Sequence, residues 1–287
     1  MNPEELSFDD MIKYNLEPEI FSLRILELFE QALLRNSFKG QFNVHIKLDT
    51  GMHRLGFEEF QVQELIDKLK NNVNIRVKSV FSHLASSSNI LDDDFTKHQI
   101  EIFEKVCALL KQSIGYSFLT HILNTAGIRR FKNYQFDMVR LGIGLYGISS
   151  LPEEQELLQI VSVLRTSISQ IKKVRAGETI GYDRKYIAQK DMIIATVPIG
   201  YADGFSRRLG NEIGKMKVNG FFAPVVGNVC MDMCMLDITN IEANEGDEVI
   251  VFGKDYTVIN FAKDMETIPY EVLTSFSRRV KRVYFHE

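Results

Sequence analysis

No apolar run in the sequence approaches the ~18 residues that a membrane-spanning helix requires. The opening MNPEELSFDD is acidic where a secretory signal would be basic and then apolar. The cytoplasm is the expected compartment. Cysteine is scarce: Cys107, Cys230 and Cys234 form an odd, sparse set, which argues against a disulfide framework and for reduced thiols. A basic excess is missing too. Lys+Arg 34 against Asp+Glu 38 gives a formal charge of -4 and a pI near 5.9, so neither nucleic acid nor a membrane surface is expected as a partner. The expected ligand is a small molecule. Internal repeats, low-complexity segments and long linkers are absent as well.

What is present is ordinary globular usage, 45% hydrophobic and 25% charged over 287 residues, enough for one large domain or two unequal ones. Up to about Ser150, short β-rich runs alternate with amphipathic helical stretches, the pattern of a parallel sheet with crossover helices. EIFS (19–22), FNVHIKL (42–48), IRVKSVFSH (75–83), FLTHIL (118–123) and DMVRLGI (137–143) read as strands, giving five βα units. Residues 58–72 and 94–113 carry apolar side chains at helical spacing. Beyond SSLPEEQE the texture changes to strands: VSVLRTSISQIKKV alternates with period two, Asn219-Gly220 is a tight-turn dipeptide, and MIIATVPI, APVVGNV, MCMLDI and DEVIVFG follow. Short helices are expected at Val258–Met265 and Tyr270–Arg278. The expected division is residues 1–150 and a mostly-β domain over 151–287.

Polar residues gather where the first-half strands end: Lys47, Asp49 and Arg54; His83; Asn124 and Thr125; Arg140 and Gly142. In a parallel barrel the C-terminal strand ends share one mouth, so these clusters should converge on one site. A single charged residue at a strand end is more often a solvated loop contact, but recurrence in successive strands reverses that reading. Cys230 and Cys234, four residues apart, would stand ~13 Å from each other on a strand, too far to flank one carbon and unlike a metal knuckle. Both read as core thiols. His45, His53, His98 and His121 show no metal-ligand spacing and read as solvated or packed histidines, so no metal is expected.

These segments, with GYDRKY (181–186), PIGYADGFSRR (198–208), GNVCMDM (227–233) and TIPYEV (267–272), resemble the alanine racemase family from about Phe42 to the C-terminus. The resemblance implies a (β/α)8 TIM-type barrel, here lacking its first three βα units, followed by a C-terminal β domain. It also implies pyridoxal 5'-phosphate (PLP) as cofactor, a homodimer with active sites shared between subunits, and interconversion of L- and D-alanine, with D-alanine supplied for cell-wall peptidoglycan. The Cα proton of alanine is too weakly acidic for a side chain alone, so an electron sink is needed. Inversion further needs two groups flanking that carbon.

By that resemblance Tyr182 is the base on one face, reaching into the partner's barrel. Free tyrosine has a pKa near ~10, so neighbouring charge must bias it. Arg140 would face the pyridine nitrogen, held by His83, and would disfavour protonation of the ring. Arg54 would contact the cofactor's phenolic oxygen and the substrate carboxylate. Lys47 is a position that some members carry as a carbamate, which would give Arg54 an anionic partner. The phosphate would lie against the Gly142 and Ile143 N–H groups, the Thr125 hydroxyl and Tyr270. Tyr201 and Tyr270 would narrow the entrance and the Met231 N–H would meet the substrate carboxylate. Asn228 and Ser88 stand where arginine and aspartate are often found, which leaves the outer gate neutral.

One family feature has no counterpart. Members carry a KANAYGHG-like segment whose lysine binds the cofactor covalently and serves as the second base, and no such segment occurs here. The expectation is therefore a fragment that lacks the Schiff-base lysine and is inactive alone. A PLP-binding regulatory barrel without turnover is the alternative, disfavoured because such barrels lack the β domain with its GYADG and VCMD segments.

Overall fold

The computed structural model describes residues 3–285, which divide into two compact units: residues 3–145 with Ser149–Glu154, and Tyr146–Ile148 with residues 155–285.

The first unit runs α1 (Phe8–Lys13), β1 (Glu19–Ile20), α2 (Leu23–Arg35), β2 (Phe42–Lys47), α3 (Val62–Lys70), β3 (Ile75–Phe81), α4 (Asp93–Ile114), β4 (Leu119–His121) and α5 (Thr125–Arg130). The four strands form one parallel sheet in the order β1-β2-β3-β4. Alternation along the strands sends Ile20, Val44, Ile46 and Val80 into an apolar core shared with Leu26, Phe29, Leu65 and Phe103 of the helices. The register puts Glu19 opposite His45, His45 opposite Ser79, Lys47 opposite Phe81, and Phe81 opposite His121, so the other face of this sheet is polar. A bulge between Val44 and His45 absorbs Lys78 and brings Ser79 into that row.

The sequence reading of DMVRLGI as a fifth strand is corrected. Residues 137–142 form no strand; the chain runs beside β4 through only two backbone bonds, Asp137 N–H to Thr120 O (3.1 Å) and Arg140 N–H to Leu123 O (3.0 Å). The Asp137 carboxylate takes the Thr120 N–H and hydroxyl at 2.8 and 2.7 Å, replacing a carbonyl that a ladder would have used. Among the described residues this sheet has four strands and does not close into a barrel.

The second unit contains β5 (Leu164–Ser167), β6 (Gln170–Val174), β7 (Thr179–Ile180), β8 (Tyr186–Ile187), β9 (Met192–Val197), β10 (Lys215–Val218), β11 (Phe221–Val226), β12 (Cys234–Asp237) and β13 (Glu248–Phe252), then α6 (Val258–Asp264) and α7 (Pro269–Ser275). Seven strands pair antiparallel in the order β5-β13-β10-β11-β12-β9-β6, and β7 pairs with β8. The end strands β5 and β6 are consecutive in sequence, so the sheet curls back on itself at Ile168 and Ser169. Asn219-Gly220 makes the two-residue β10–β11 turn with φ of 45° and 90°, the left-handed values such hairpins demand.

Candidate active site

The first unit brings the strand-end residues together around Arg140. Its guanidinium reaches across the ends of β3 and β4: Nη2 donates to Ser82 O (2.6 Å), Ile122 O (3.1 Å) and His83 Nδ1 (3.3 Å), and Nη1 donates to His121 O (3.3 Å) and His121 Nδ1. None of these acceptors is a carboxylate, so the cation is fixed without being neutralised. Burial pushes Arg140 down to about 10. His83 is pushed down to about 4 by burial and by the charges of Arg140, Arg54 and Lys47, and His121 to about 4 by burial and Arg140. Both rings are therefore neutral at physiological pH and accept from arginine.

Arg54 is carried by the loop that follows β2. The Asp49 carboxylate accepts the N–H groups of Gly51 (2.9 Å), Met52 (3.0 Å), His53 (3.1 Å) and Arg54 (3.1 Å). Burial raises the Asp49 pKa, but these donors outweigh it and hold the carboxyl below its ordinary value. Gly56 closes the loop at φ 132°, where a Cβ would sit 2.5 Å from Asp49 N. The Arg54 guanidinium has no ion pair or hydrogen bond among the described residues. Gln99, fully buried on α4, ties the loops together from behind, accepting from Ala85 N–H at 3.0 Å and donating to Thr50 Oγ1 and His83 O at 3.4 Å.

Lys47 is buried and pairs with Glu19 across the sheet at 3.5 Å. Glu19 is thus the anionic partner of Lys47, while Arg54, for which a carbamate would supply one, has none among the described residues. Phe81 lies between two cations, with Lys47 Nζ 5.1 Å and the Arg140 guanidinium 5.3 Å from its ring centre, and stacks on His121 at 5.0 Å.

Thr125 opens α5 behind Asn124, whose side chain caps the helix by accepting from Gly127 N–H at 3.0 Å. The Thr125 oxygen accepts from Gly142 N–H at 3.0 Å and Gly144 N–H at 3.5 Å, which leaves its own proton to donate. The Ile143 N–H has no partner among the described residues. A Cβ on Gly144 would stand 2.8 Å from Leu141 Cδ1 and 3.1 Å from Thr125 Cγ2, so the backbone passes this cradle closely only because it is glycine.

The second unit carries the remaining candidates. Tyr182 is 69% exposed and follows Gly181 in a turn whose next residues, Asp183 and Arg184, have φ of 61° and 52°. Asn228 holds this turn, donating to Tyr182 O at 3.2 Å, while Asn211 donates to Asn228 Oδ1 at 3.2 Å. The GYADG and VCMD segments clasp: Tyr201 N–H donates to Cys230 O (3.1 Å) and Ala202 N–H to Met231 O (2.9 Å). Arg279 joins their two aspartates, lying 3.4 Å from Asp203 and 2.8 Å from Asp232. Tyr201, Met231 and Tyr270 are exposed. Cys234 and Cys107 are buried, while Cys230 is half-buried with its thiol 3.7 Å from Asn228 O, and burial raises all three.

Sequence reasoning passed over Glu19, Ser79, Gln99 and the part played by His45 and His121. The signal available for His45 was parity, since His45 and Lys47 on β2 share a face.

Comparison with known proteins identifies the family. The N-terminal alanine racemase domain matches residues 2–150 and the C-terminal alanine racemase domain residues 161–284. The alanine racemase of Helicobacter acinonychis (strain Sheeba) is 39% identical over 288 residues, covering 96% of this chain and 75% of its own length. The solved alanine racemase of Clostridium difficile 630 superposes with a TM-score of 0.90 at 35% identity, over 99% of this chain and 74% of its own. That of Bartonella henselae, with covalently bound pyridoxal phosphate, gives 0.85 at 29% identity, over 97% of this chain and 76% of its own. The chain belongs to the alanine racemase family.

Proposed function

We propose that this chain is the part of a PLP-dependent alanine racemase that provides the cofactor cradle, the substrate arginine and one of two proton-transfer groups for interconverting L- and D-alanine. The observation that carries the reading is the group of Lys47, Arg54 and Arg140 around a neutral His83, beside the open donors of Thr125 and Ile143. This donor set fits PLP. A phosphate is held by hydroxyl and backbone donors, and a fixed arginine without a carboxylate partner suits a ring nitrogen that is to stay unprotonated.

When bound, PLP supplies a sink for the electron pair of the broken Cα–H bond. Arg140 would face the ring nitrogen and, remaining charged near neutrality, would keep that nitrogen unprotonated. Thr125 and Ile143 would hold the phosphate, and the Gly142 N–H orients the Thr125 hydroxyl. Arg54 would anchor the substrate carboxylate through its planar fork. The Tyr182 phenol takes and returns the Cα proton on one face, in the site of the partner protomer of a homodimer. Tyr201 narrows the entrance, because attractive contacts alone discriminate poorly between side chains of similar size.

In this reading residues 1–150 bind the cofactor, residues 151–287 form the β domain, and the enzyme supplies D-alanine for peptidoglycan in the cytoplasm. Among the described residues no helix is long and apolar enough to cross a membrane. The lysine of a KANAYGHG-like segment has no counterpart among these residues, so the isolated chain holds PLP without a covalent bond and lacks the second proton transfer.

Titration of PLP into the purified chain, followed by visible absorbance and then borohydride, tests this. Saturable binding is expected, weakened about tenfold or more by Arg140→Ala as a charged hydrogen-bonding partner is lost. No PLP should remain on the protein after borohydride. Absence of saturable binding contradicts the cradle, and a visible band that borohydride fixes to a lysine contradicts the non-covalent reading.

A further inference from the structure

We propose that Ser79 is a positioning residue whose hydroxyl joins His45 and His121 into a hydrogen-bond chain of one direction, running across the polar face of the sheet from Arg140 to Glu17.

The chain is continuous. Arg140 Nη1 meets Nδ1 of His121, His121 Nε2 lies 3.3 Å from Ser79 Oγ, Ser79 Oγ lies 2.6 Å from His45 Nδ1, and His45 Nε2 lies 2.9 Å from Glu17 Oε2. The two ends dictate its direction. A guanidinium only donates, so His121 Nδ1 accepts and its proton sits on Nε2. Ser79 receives that proton's hydrogen bond and turns its own toward His45 Nδ1. His45 then carries its proton on Nε2 and donates to Glu17, which as a carboxylate only accepts. The other oxygen of Glu17 takes Lys78 Nζ at 2.7 Å and Asn43 Nδ2 at 3.0 Å, which fixes the far end.

The bulge at Val44/His45 gives the arrangement its geometry, because it moves Lys78 out of the row and puts the small hydroxyl between the two rings. The chain links Arg140 to a carboxylate through neutral groups only. The guanidinium therefore keeps its orientation and its full charge toward the strand ends. Without the hydroxyl, the His121 Nε2–H would be a buried donor with no acceptor, free to exchange for the tautomer that opposes Arg140. The value of the chain to catalysis rests on the role proposed for Arg140, but its existence does not.

The test is heteronuclear NMR of histidine- and arginine-labelled protein near neutral pH, without cofactor or substrate. Both rings should be neutral and protonated on Nε2. Ser79→Ala should shift the ring nitrogens of His45 and His121 together and speed exchange of the Arg140 side-chain protons severalfold, Ser79→Thr should restore both, and Glu17→Gln should move both rings. Should the alanine variant not fold, the wild-type tautomers and Glu17→Gln decide. A doubly protonated His45, a proton on Nδ1 of either ring, or Glu17→Gln leaving His121 unmoved would overturn the proposal. Because the readout needs neither PLP nor turnover, loss of the racemase reading and loss of the relay are told apart.

Discussion

Lys47 and Glu19 stand 3.5 Å apart with side chains only 5% and 9% exposed, so each buried charge depends on the other. Removing one partner strands the other in a medium of low polarity, which typically costs ~3–5 kcal/mol. Glu19→Ala should lower the urea midpoint accordingly, and the double change Lys47→Met with Glu19→Leu should recover most of the loss. A Glu19→Ala variant as stable as the parent would contradict the pairing.

The same pair bears on the carbamate implied at Lys47. A carbamate is an anion, and beside Glu19 it would be repelled rather than stabilised. The purified protein should therefore carry an unmodified Lys47 by intact and peptide mass. Isotope-labelled bicarbonate should give no carbamate signal in the parent, and a clear signal there would show that Glu19 does not fill this place.

His83 and His121, both held neutral at about 4, make stability depend on pH. The unfolded chain binds their protons below about 6.5 while the native protein does not. Their contribution is thus present above about 6.5 and lost as pH falls through about 4, by roughly 2 kcal/mol for each ring once solvent screening has reduced the full ~3 kcal/mol. Melting temperature should fall steeply over that window, and the fall should be shallower in His83→Asn. A flat profile between these limits would contradict neutral rings packed on Arg140.

Gly200 has no room for a side chain, since a Cβ would stand 2.4 Å from the carbonyl oxygens of both Cys230 and Met231. Gly200→Ala should cost about 1–3 kcal/mol through overpacking and should part the clasped GYADG and VCMD loops. Thermal unfolding and hydrogen exchange at Tyr201 and Ala202 measure the two effects. Unchanged exchange at those amides would show that the loops tolerate the insertion.

Thr125→Ala should weaken PLP binding about tenfold, the loss of one hydrogen bond to a charged group, while Thr125→Ser should leave it nearly unchanged. Equal affinities for the parent and both variants, read from absorbance titrations, would remove Thr125 from the cradle.

Much of this was legible in the sequence because it is local. Alternation marked the first-half strands and the β domain, Asn219-Gly220 marked its hairpin, and the strand-end cluster of Arg54, His83, Thr125 and Arg140 followed from the rule that parallel strands share one mouth. The misses are non-local. DMVRLGI has a strand's composition, yet the Asp137 side chain takes the bonds a strand would have made. Glu19 and Ser79 acquire meaning only from register: one sits beside Lys47, and the other is turned inward by a bulge that no pattern in β3 announces. His121 looked like a packed histidine until Arg140, nineteen residues on, supplied its partner.

The central claim is that Tyr182 moves the Cα proton on one face only. Its direct test is Cα exchange in deuterium oxide, followed by proton NMR with L-alanine and D-alanine separately, using the purified chain and PLP against PLP alone. Exchange should exceed the PLP control for one enantiomer, with retention, and should drop to that control in Tyr182→Phe. Equal exchange of both enantiomers, or exchange untouched by Tyr182→Phe, would contradict the account.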